Sequence, residues 1–501
     1  MSTRPPFGRV LVANRGEIAV RVIRACRELG ITPIAVYSDA DADAPHVRAA
    51  DLAERIGPPS PAQSYLSIDA IVDAAKRSSA DAIHPGYGFL SENADFARAV
   101  TDAGLVFVGP PADAIEALGN KLAARRSAAA AGVPIVPGTT VALTDDLASL
   151  EGLHFPVMLK AAAGGGGRGM RRVDAPDRIA EAMAAARREA ESAFGDGTIY
   201  VEQMVSPARH VEVQLLGDRH GNLAVLGERD CSVQRRHQKL VEESPSPGID
   251  EATRAALFES ARRVAGTVPF ENAATVEFLV DAELNHYFLE MNTRLQVEHG
   301  VTELVTGLDL VAWQLRVAAG EELPPSVLDA PRRGHAIEVR IYAEDPYDGF
   351  RPTHGSIGAW VMPDGPGVRV DAATEADMPL RPEYDPLLAK LMVHAEDRDA
   401  AVARLRRALD ETLIGGLQTD AGFLRWLVDE PAFTSGGYDT SLIPARWYDR
   451  GAPLTGETMA LAAFAALSVR KDSGPVARRP MASKDAGSAW GRLARREALR
   501  R

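Results

Sequence analysis

The first third of the chain alternates short apolar runs with segments of helical spacing. Four apolar runs are predicted as buried parallel strands, namely residues 10–13, 33–37, 80–84 and 105–108. Between the first two, residues 17–29 carry apolar side chains at helical spacing, and Gly30 supplies a helix stop. Strands and helices that alternate in this way predict a doubly wound α/β sheet.

A dinucleotide site is the first function that such a sheet suggests. The turn after the first strand is Asn14-Arg15-Gly16, and it lacks the repeated glycines that allow backbone to approach a pyrophosphate. Asp39 follows the second strand where a ribose-binding acid would stand, but a lone aspartate there is more often a turn residue. The sequence therefore argues against NAD binding.

Two later strands carry glutamates in apolar surroundings. Residues 275–280 and 286–290 are predicted to pair as a hairpin, with residues 281–285 as its turn, so that Glu277 lies beside Glu290. Because side chains alternate along a strand, Glu290, Asn292 and Arg294 share one face. Two carboxylates and an amide oxygen suit Mg²⁺ or Mn²⁺.

The residues that follow this metal face suit a small oxyanion. Arg294 offers a planar fork of donors, and Glu298 is a candidate general base whose pKa its charged neighbours can tune. The alternative is a salt bridge between Arg294 and Glu298 on an edge strand, but that interpretation leaves Glu277 unexplained.

A glycine run points to a phosphate site. Residues 153–161 are predicted as an apolar strand that ends near Lys160 and leads into a run of glycines at 164–167. Free backbone N–H groups in such a loop can converge on phosphate oxygens, and the loop can close as a lid. The alternative is a flexible turn, but Lys160 favours a nucleotide. Lys121, at a predicted helix start, is by its local pattern a surface charge.

A basic stretch at 228–239 is the other candidate for anion binding. Runs of charge are usually solvated, so Arg235 and Arg236 are open to that interpretation. His210 and His237 are each compatible with a structural role, since neither has metal-ligand spacing to another histidine.

Bulk properties restrict the class of protein. A chain of 501 residues should divide into about three domains. The net charge of −13 argues against nucleic-acid binding, because phosphate neutralisation needs clustered Lys and Arg. Two cysteines without close spacing, no signal-peptide pattern and no apolar stretch of membrane-span length predict a cytoplasmic protein that does not bind membranes.

Together these segments closely resemble the biotin carboxylase family of the ATP-grasp superfamily. The matching motifs are residues 11–19, 84–93 (His-Pro-Gly-Tyr-Gly-Phe-Leu-Ser-Glu-Asn), 160–170, 228–239, 290–299 and 336–345. The resemblance covers residues 7–447 and implies an α/β (α+β) ATP-grasp protein. It divides the chain into a Rossmann-like domain at 1–119, an ATP-grasp domain at 120–333 with a lid at about 134–205, a C-terminal α+β domain at 334–449, and a tail at 450–501.

The resemblance assigns roles that the residues alone left open. For ATP it implies Lys121, Lys160, Gly166, Gly167, Met170, Glu202, Gln203, Val205, His210, Gln234 and His237, with residues 202–205 as the adenine hinge. For the metal it implies Glu277, Glu290 and Asn292. For bicarbonate and biotin it implies Lys239, Arg294, Gln296, Val297, Glu298 as the base, Arg340 at the biotin oxyanion, and Tyr87 near the biotin pocket.

Two departures from the family pattern are visible. Many relatives have lysine where this chain has Gln203, so side-chain contacts to adenine are expected to differ while backbone contacts survive. Ala163 stands where some relatives have another glycine, which is expected to stiffen the lid.

The resemblance also predicts partners. No Met-Lys-Met occurs in the chain, so biotin is expected on a separate carrier protein, with a carboxyltransferase subunit and a second copy of this chain as further partners. The acyl-CoA stays open. Residues 490–501 are expected to be disordered or to form a docking helix. The rival ATP-grasp ligases, such as carbamoyl-phosphate synthase, would lack the segments at 84–93 and Arg340, and a catalytically silent subunit would lack the metal ligands or the base.

Overall fold

A computed structural model describes residues 5–143, 150, 152–162 and 170–447. The predicted glycine residues Gly166 and Gly167, together with Ala163 and the tail at 450–501, lie outside the described residues. The elements below belong to one compact unit, residues 1–450. None of the helices in the described part of the chain is long and apolar enough to cross a membrane.

The N-terminal elements form a parallel sheet flanked by helices. In chain order they are β1 (Arg9–Val12), α1 (Gly16–Glu28), β2 (Thr32–Ser38), α2 (Pro45–Ala49), β3 (Leu52–Gly57), α3 (Ile68–Arg77), β4 (Ala82–His84), α4 (Ala94–Asp102), β5 (Val106–Phe107) and α5 (Ala112–Gly119). The strand order is β3-β2-β1-β4-β5, and every pairing is parallel. The prediction of a doubly wound α/β layout is confirmed, and the predicted strands and helix agree within about two residues.

The middle of the chain contains a small sheet and most of a large one. Its elements are α6 (Lys121–Ala130), β6 (Val157–Ala161), β7 (Arg171–Val173), α7 (Ile179–Phe194), β8 (Ile199–Gln203), β9 (Ala208–Gly217), β10 (Leu223–Arg235), β11 (Gln238–Ser244), α8 (Glu251–Ala265), β12 (Asn272–Asp281), β13 (His286–Asn292), α9 (His299–Thr306), α10 (Leu310–Ala318) and α11 (Pro325–Leu328). The small sheet has the order β7-β6-β8.

The last described elements extend the large sheet. They are β14 (His335–Tyr342), β15 (Glu344–Asp345), β16 (Arg351–Pro352), β17 (Ala359–Val361), β18 (Val368–Ala372), β19 (Leu387–Ala395), α12 (Arg398–Glu411), β20 (Leu413–Gly415), α13 (Ala421–Leu427), α14 (Pro431–Thr434) and α15 (Leu442–Arg446). The eight-stranded order is β13-β12-β9-β10-β11-β14-β19-β18, so one antiparallel sheet joins the middle of the chain to its C-terminal part. The predicted metal ligands, Lys239 and Arg340 lie on this sheet, while Lys160 and Glu202 lie on the small one.

Candidate active site

The hairpin β12–β13 carries the three predicted metal ligands. Glu277 and Glu290 are direct cross-strand partners, as the sequence predicted, and Asn292 pairs with Thr275 one row away. Asn292 Nδ2 donates to Glu277 Oε1 at 2.9 Å. Two carboxylates and one amide that converge on a strand pair form the oxygen-rich donor set that Mg²⁺ and Mn²⁺ prefer, so these residues fit the metal that the resemblance implies.

Lys121 faces this hairpin from the first position of α6. Asn120 caps the helix by accepting from the Ala123 N–H at 3.0 Å, and Lys121 forms an ion pair with Glu290. Burial lowers the pKa of Lys121, but the carboxylates of Glu290, Glu277 and Glu202 together outweigh burial and raise that pKa above its ordinary value. The local prediction of a surface charge is therefore wrong, because the partner carboxylate comes from a distant strand.

Lys160 and Glu202 form a second buried ion pair on the small sheet. Glu202 Oε1 also accepts from Arg125 Nη1 at 2.8 Å, so this carboxylate lies between two cations. The backbone N–H of Gln203 donates to the Pro137 carbonyl at 2.7 Å. Among the described residues no acceptor is bonded to the N–H of Val205, which leaves that donor available to a ligand at the predicted hinge.

The two predicted nucleotide histidines lie close enough to each other for His210 to affect the pKa of His237. His210 Nε2 is 2.8 Å from Glu277 Oε2. His237 lies in the turn between β10 and β11 at φ 69°. Burial, with Lys160 and His210 nearby, lowers the pKa of His237, so its ring is neutral at neutral pH. Gln234 pairs with Lys239 across the same turn, and Met170 is half-buried just before β7.

Lys239 is the cation at the centre of the site. Its Nζ lies 2.6 Å from Glu212 Oε2, 2.8 Å from Glu277 Oε1 and 2.7 Å from Glu298 Oε1. Burial alone would lower the pKa of Lys239, but the three carboxylates raise it well above its usual range. The ammonium therefore stays charged and links the metal face to the candidate base.

Glu298 is buried and held between two cations. Besides Lys239, Arg340 Nη2 donates to Glu298 Oε2 at 2.9 Å. Burial raises the pKa of this carboxyl, but Lys239, Arg340 and Arg229 together lower it well below its usual range. The carboxylate is ionised at neutral pH, as a general base must be.

Arg294 is bonded to a residue that the sequence did not single out. Its Nε donates to Glu92 Oε2 at 2.7 Å, and its Nη1 donates to Gln296 Oε1 at 3.0 Å. Since Arg294 pairs with Glu92, the interpretation of an Arg294–Glu298 salt bridge is wrong. Gln296 Nε2 is buried and has no acceptor among the described residues, which leaves a donor for an anion. The carbonyl of Val297 accepts from Lys390 Nζ at 2.7 Å.

Arg340 and Tyr87 reach the same region from two separate parts of the chain. Arg340 projects from β14 and also contacts Glu242 Oε1 at 2.5 Å. The Tyr87 hydroxyl donates to Glu17, and Lys390 Nζ lies 5.9 Å from the centre of the Tyr87 ring. The structure therefore brings the predicted biotin residues beside the predicted base.

Several charged residues in the site were not predicted from the sequence. Arg229 is fully buried and donates to Glu212 Oε1 at 2.6 Å and to Thr302 Oγ1 at 2.8 Å. The only signal for Glu212 was a charge between the two buried valines Val211 and Val213 of β9. A carboxylate oxygen of Glu212 lies within 4.8 Å of a ring nitrogen of His210 and of a carboxylate oxygen of Glu277. The positive charges of Lys239 and Arg229 already balance the two carboxylates of this cluster.

The basic stretch at 228–239 belongs to β10 and β11 rather than to a solvated loop. Arg235 is buried, with Nη2 3.0 Å from Glu344 Oε2 and its guanidinium over the ring of Phe350. The interpretation of Arg235 as solvated is wrong, because Glu344 supplies a counter-charge from outside the motif. Arg236 is exposed.

Comparison with known families matches the chain in three consecutive parts. Residues 6–115 match the family described as biotin carboxylase, N-terminal domain. Residues 120–326 match carbamoyl-phosphate synthase L chain, ATP binding domain, and residues 338–445 match biotin carboxylase C-terminal domain. The carbamoyl-phosphate synthase description thus applies to the ATP-binding part, while biotin carboxylase families match on both sides of it.

Similar proteins agree with these matches. The biotin carboxylase of Halalkalibacterium halodurans is 50% identical over 443 residues, which cover 87% of this chain and 97% of that protein. The mitochondrial methylcrotonoyl-CoA carboxylase subunit alpha of Glycine max is 49% identical over 447 residues, which cover 88% of this chain and 61% of that protein.

Solved structures show the same likeness. A biotin carboxylase complex with β,γ-ATP from Campylobacter jejuni has a TM-score of 0.85 at 44% identity, covering 88% of this chain and 99% of that one. The biotin carboxylase domain dimer of Hydrogenobacter thermophilus 2-oxoglutarate carboxylase, in complex with MgADP, ADP and bicarbonate, has a TM-score of 0.86 at 43% identity, covering 89% and 99%. The chain belongs to the biotin carboxylase family, the ATP-dependent ligases of the ATP-grasp superfamily that carboxylate biotin.

Proposed function

We propose that this chain uses ATP and bicarbonate to carboxylate biotin held on a separate carrier protein, through carboxyphosphate. The observation that carries the proposal is the buried carboxylate of Glu298, which contacts Lys239 at 2.7 Å and Arg340 at 2.9 Å. One ionised base thus lies between a lysine that reaches the metal ligands and an arginine expected at biotin.

The nucleotide is proposed to lie between the small sheet and the hairpin β12–β13. Lys121 and Lys160 would exchange their ion pairs with Glu290 and Glu202 for phosphate oxygens, while the Val205 N–H binds adenine. Met170, Glu202, Gln203, His210, Gln234 and His237 complete the proposed pocket, with Gly166 and Gly167 as its phosphate loop. Glu277, Glu290 and Asn292 would hold Mg²⁺ or Mn²⁺, which neutralises phosphate charge when bound.

Bicarbonate is proposed to bind beside Glu298. Lys239, Arg294 and the free Gln296 amide donor, together with the backbone at Val297, supply its hydrogen-bond partners. Glu298 removes the bicarbonate proton, and the resulting oxygen attacks the γ-phosphorus of ATP while the bond to ADP breaks. Lys121 and Lys160 stabilise the charge that spreads over the phosphoryl oxygens.

The biotin step follows in the same pocket. Carboxyphosphate divides into CO₂ and phosphate, and the phosphate takes the N1′ proton of biotin. Arg340 stabilises the oxyanion that forms on the ureido oxygen, and N1′ then bonds to CO₂. Tyr87 lies close enough to Lys390 and Glu17 to form the adjoining wall.

The protein is proposed to supply the first half-reaction of an acyl-CoA carboxylase of the acetyl-CoA or propionyl-CoA type. The relatives include methylcrotonoyl-CoA and 2-oxoglutarate carboxylase components, so the acceptor class is decided by partners rather than by this chain. We propose a homodimer with a carrier protein and a carboxyltransferase subunit, in the cytoplasm, where the two unpaired cysteines would stay reduced. The domain boundaries are proposed at 119/120, 333/334 and 449/450.

The test measures phosphate release by the purified protein with ATP, Mg²⁺ and bicarbonate, with and without free biotin. We expect bicarbonate-dependent hydrolysis that rises on adding biotin, with labelled bicarbonate appearing in carboxybiotin. Glu298→Gln is the negative control, and the exposed Glu283→Gln is the matched positive control. Equal phosphate release from Glu298→Gln and wild type would contradict the proposal.

A further inference from the structure

Two glutamates that the proposed mechanism does not use face each other behind Arg340. Glu242 on β11 and Glu338 on β14 are direct cross-strand partners, and both are fully buried. Side chains on directly opposed positions of an antiparallel pair lie about 5 Å apart. Like charges at that separation in a protein interior are strongly unfavourable, so the sheet juxtaposes two carboxyl groups that cannot both ionise at low cost.

The hydrogen bonding of this pair points in the same direction. Within the described residues, neither oxygen of Glu338 has a hydrogen-bond partner, and the guanidinium of Arg340 is the only donor group in contact with Glu242. Glu242 has an ion contact with Arg340, whereas Glu338 forms no ion pair with any residue that the structure describes. A β-carbon at residue 300 would lie 3.4 Å from Glu338 Oε2, so this carboxyl packs against the start of α9 rather than against solvent. A buried carboxylate without donors is costly, while a protonated carboxyl brings its own donor.

The charged groups around the pair do not neutralise two carboxylates. The groups that face it are Glu298 at the start of α9, Lys239 on β11, Arg340 on β14, Lys390 on β19, Cys231 on β10 and Tyr87. Lys239, Arg340 and Lys390 are already bound to Glu298, Glu212, Glu277 and the Val297 carbonyl. Burial raises the pKa of Glu338 well above its usual range, and burial raises that of Glu242 to about 7.

We propose that Glu242 and Glu338 share one proton at neutral pH and that this carboxyl pair positions Arg340 for the biotin step. The first half of this inference stands on the fold alone, and the second rests on the proposed function. Glu242 contacts Arg340 directly, so the proton resides on Glu338. Glu242 and Glu338 are positioning residues, since they act through the guanidinium.

The shared proton controls how strongly the sheet holds Arg340. With the proton in place, Arg340 is bound by Glu298 and Glu242, and its Nε has no partner among the described residues. Glu338 is two positions before Arg340 on the same strand face. Loss of the proton adds a second negative charge there, which draws the guanidinium towards the sheet and away from an oxyanion. The biotin step should therefore slow at alkaline pH.

The proton itself is tested without any substrate, by thermal unfolding of wild type, Glu338→Gln and the exposed control Glu283→Gln. A carboxyl whose folded pKa is raised costs no stability below the unfolded carboxyl pKa, and it destabilises the folded state increasingly as pH rises from that value to the folded pKa. Glutamine mimics the protonated form and does not titrate. We therefore expect Glu338→Gln to gain stability relative to wild type as pH rises above the ordinary glutamate pKa of about 4.3, while the control stays parallel to wild type. If the difference in thermal stability between Glu338→Gln and wild type does not change with pH, the two glutamates do not share a proton.

The positioning role is tested by the pH profile of biotin carboxylation with free biotin. For Glu338→Gln the alkaline limb should move up by about one pH unit or more, and biotin-independent ATP hydrolysis should show no such movement. An alkaline limb that stays at the wild-type pH would overturn the role at Arg340 even if the unfolding result holds. Wild-type protein that hydrolyses no ATP would contradict the proposed function and leave the unfolding test standing.

Discussion

Arg340 Nη2 donates to Glu298 Oε2 at 2.9 Å, so the residue expected to stabilise biotin touches the residue expected to deprotonate bicarbonate. The two are 42 positions apart in sequence and meet where β14 passes under the start of α9. Their contact makes the two chemical steps one electrostatic unit, in which a change at either residue alters the charge seen by the other.

Replacing Arg340 should separate the two steps. In Arg340→Ala, ATP binding should be retained, while biotin carboxylation should fall by about 10²–10³, the usual loss when one oxyanion donor is removed. The measurement is incorporation of labelled bicarbonate into biotin, with nucleotide affinity determined in parallel. The exposed Arg351 provides a matched control in Arg351→Ala. Carboxylation at the wild-type rate in Arg340→Ala would refute the role.

Removal of the base should affect the first step. Glu298→Gln should lower bicarbonate-dependent ATP hydrolysis by about 10²–10⁴, the range for a positioned general base. Burial raises the pKa of Glu298, but Lys239 and Arg340 lower it well below its usual range. Its charge therefore contributes stability above the ordinary carboxyl pKa that is lost only as pH falls towards the depressed value. If the pH profile of bicarbonate-dependent ATP hydrolysis fell on the acid side near neutral pH, and this fall were absent in Glu298→Gln, the low pKa assigned to Glu298 would be wrong.

The metal assignment predicts a change in ion affinity. Glu290→Gln removes one carboxylate and frees Lys121 from its ion pair. The affinity for Mn²⁺ in the presence of ATP should fall by about tenfold or more, since even residues that only support a metal ligand contribute about 10–100-fold to affinity. The measurement is the decrease of the paramagnetic resonance signal of free Mn²⁺ as the ion binds. Glu283→Gln should bind Mn²⁺ as wild type does. Unchanged affinity in Glu290→Gln would exclude it as a ligand.

Arg229 should matter for folding rather than for chemistry alone. It is completely buried against Glu212, so Arg229→Ala leaves a buried carboxylate with one fewer cation. Urea unfolding should show a loss of about 3–5 kcal/mol, the usual result of breaking a buried ion pair from one side. Arg98 forms only exposed ion pairs, and Arg98→Ala should leave the unfolding midpoint unchanged. A loss in Arg229→Ala no larger than in Arg98→Ala would rule out this contribution.

Local patterns were enough to predict four of the five strands of the N-terminal sheet and the metal hairpin, but not the largely exposed strand β3. The four predicted strands there are mostly apolar, Gly30 marks a helix end, and the residues from Asp281 to Asn285 fix the hairpin turn and hence the pairing of Glu277 with Glu290. The resemblance was needed for Arg340 and Lys239, because neither lies in a local pattern that indicates its partner.

The remaining contacts could not be predicted because they join distant segments. Arg235 and Lys121 were predicted to be solvated from their neighbours in sequence, yet Glu344 and Glu290 pair with them. Glu242 and Glu338 lie in short segments that mix apolar and charged residues. Whether the two face each other depends on the register between β11 and β14. Register between strands almost a hundred positions apart is a property of the sheet rather than of either strand.

The eight-stranded sheet has a mechanical consequence. The metal ligands are on β12 and β13 and the biotin arginine is on β14, and the neighbouring strands β9, β10 and β11 connect them within one sheet, with β-bulges in the β9–β10 and β10–β11 ladders. The distance between the metal ligands and Arg340 is therefore fixed by the backbone hydrogen bonds of the sheet. A substitution that alters this span must first break the ladder, so we expect such substitutions to impair folding before they uncouple the two steps.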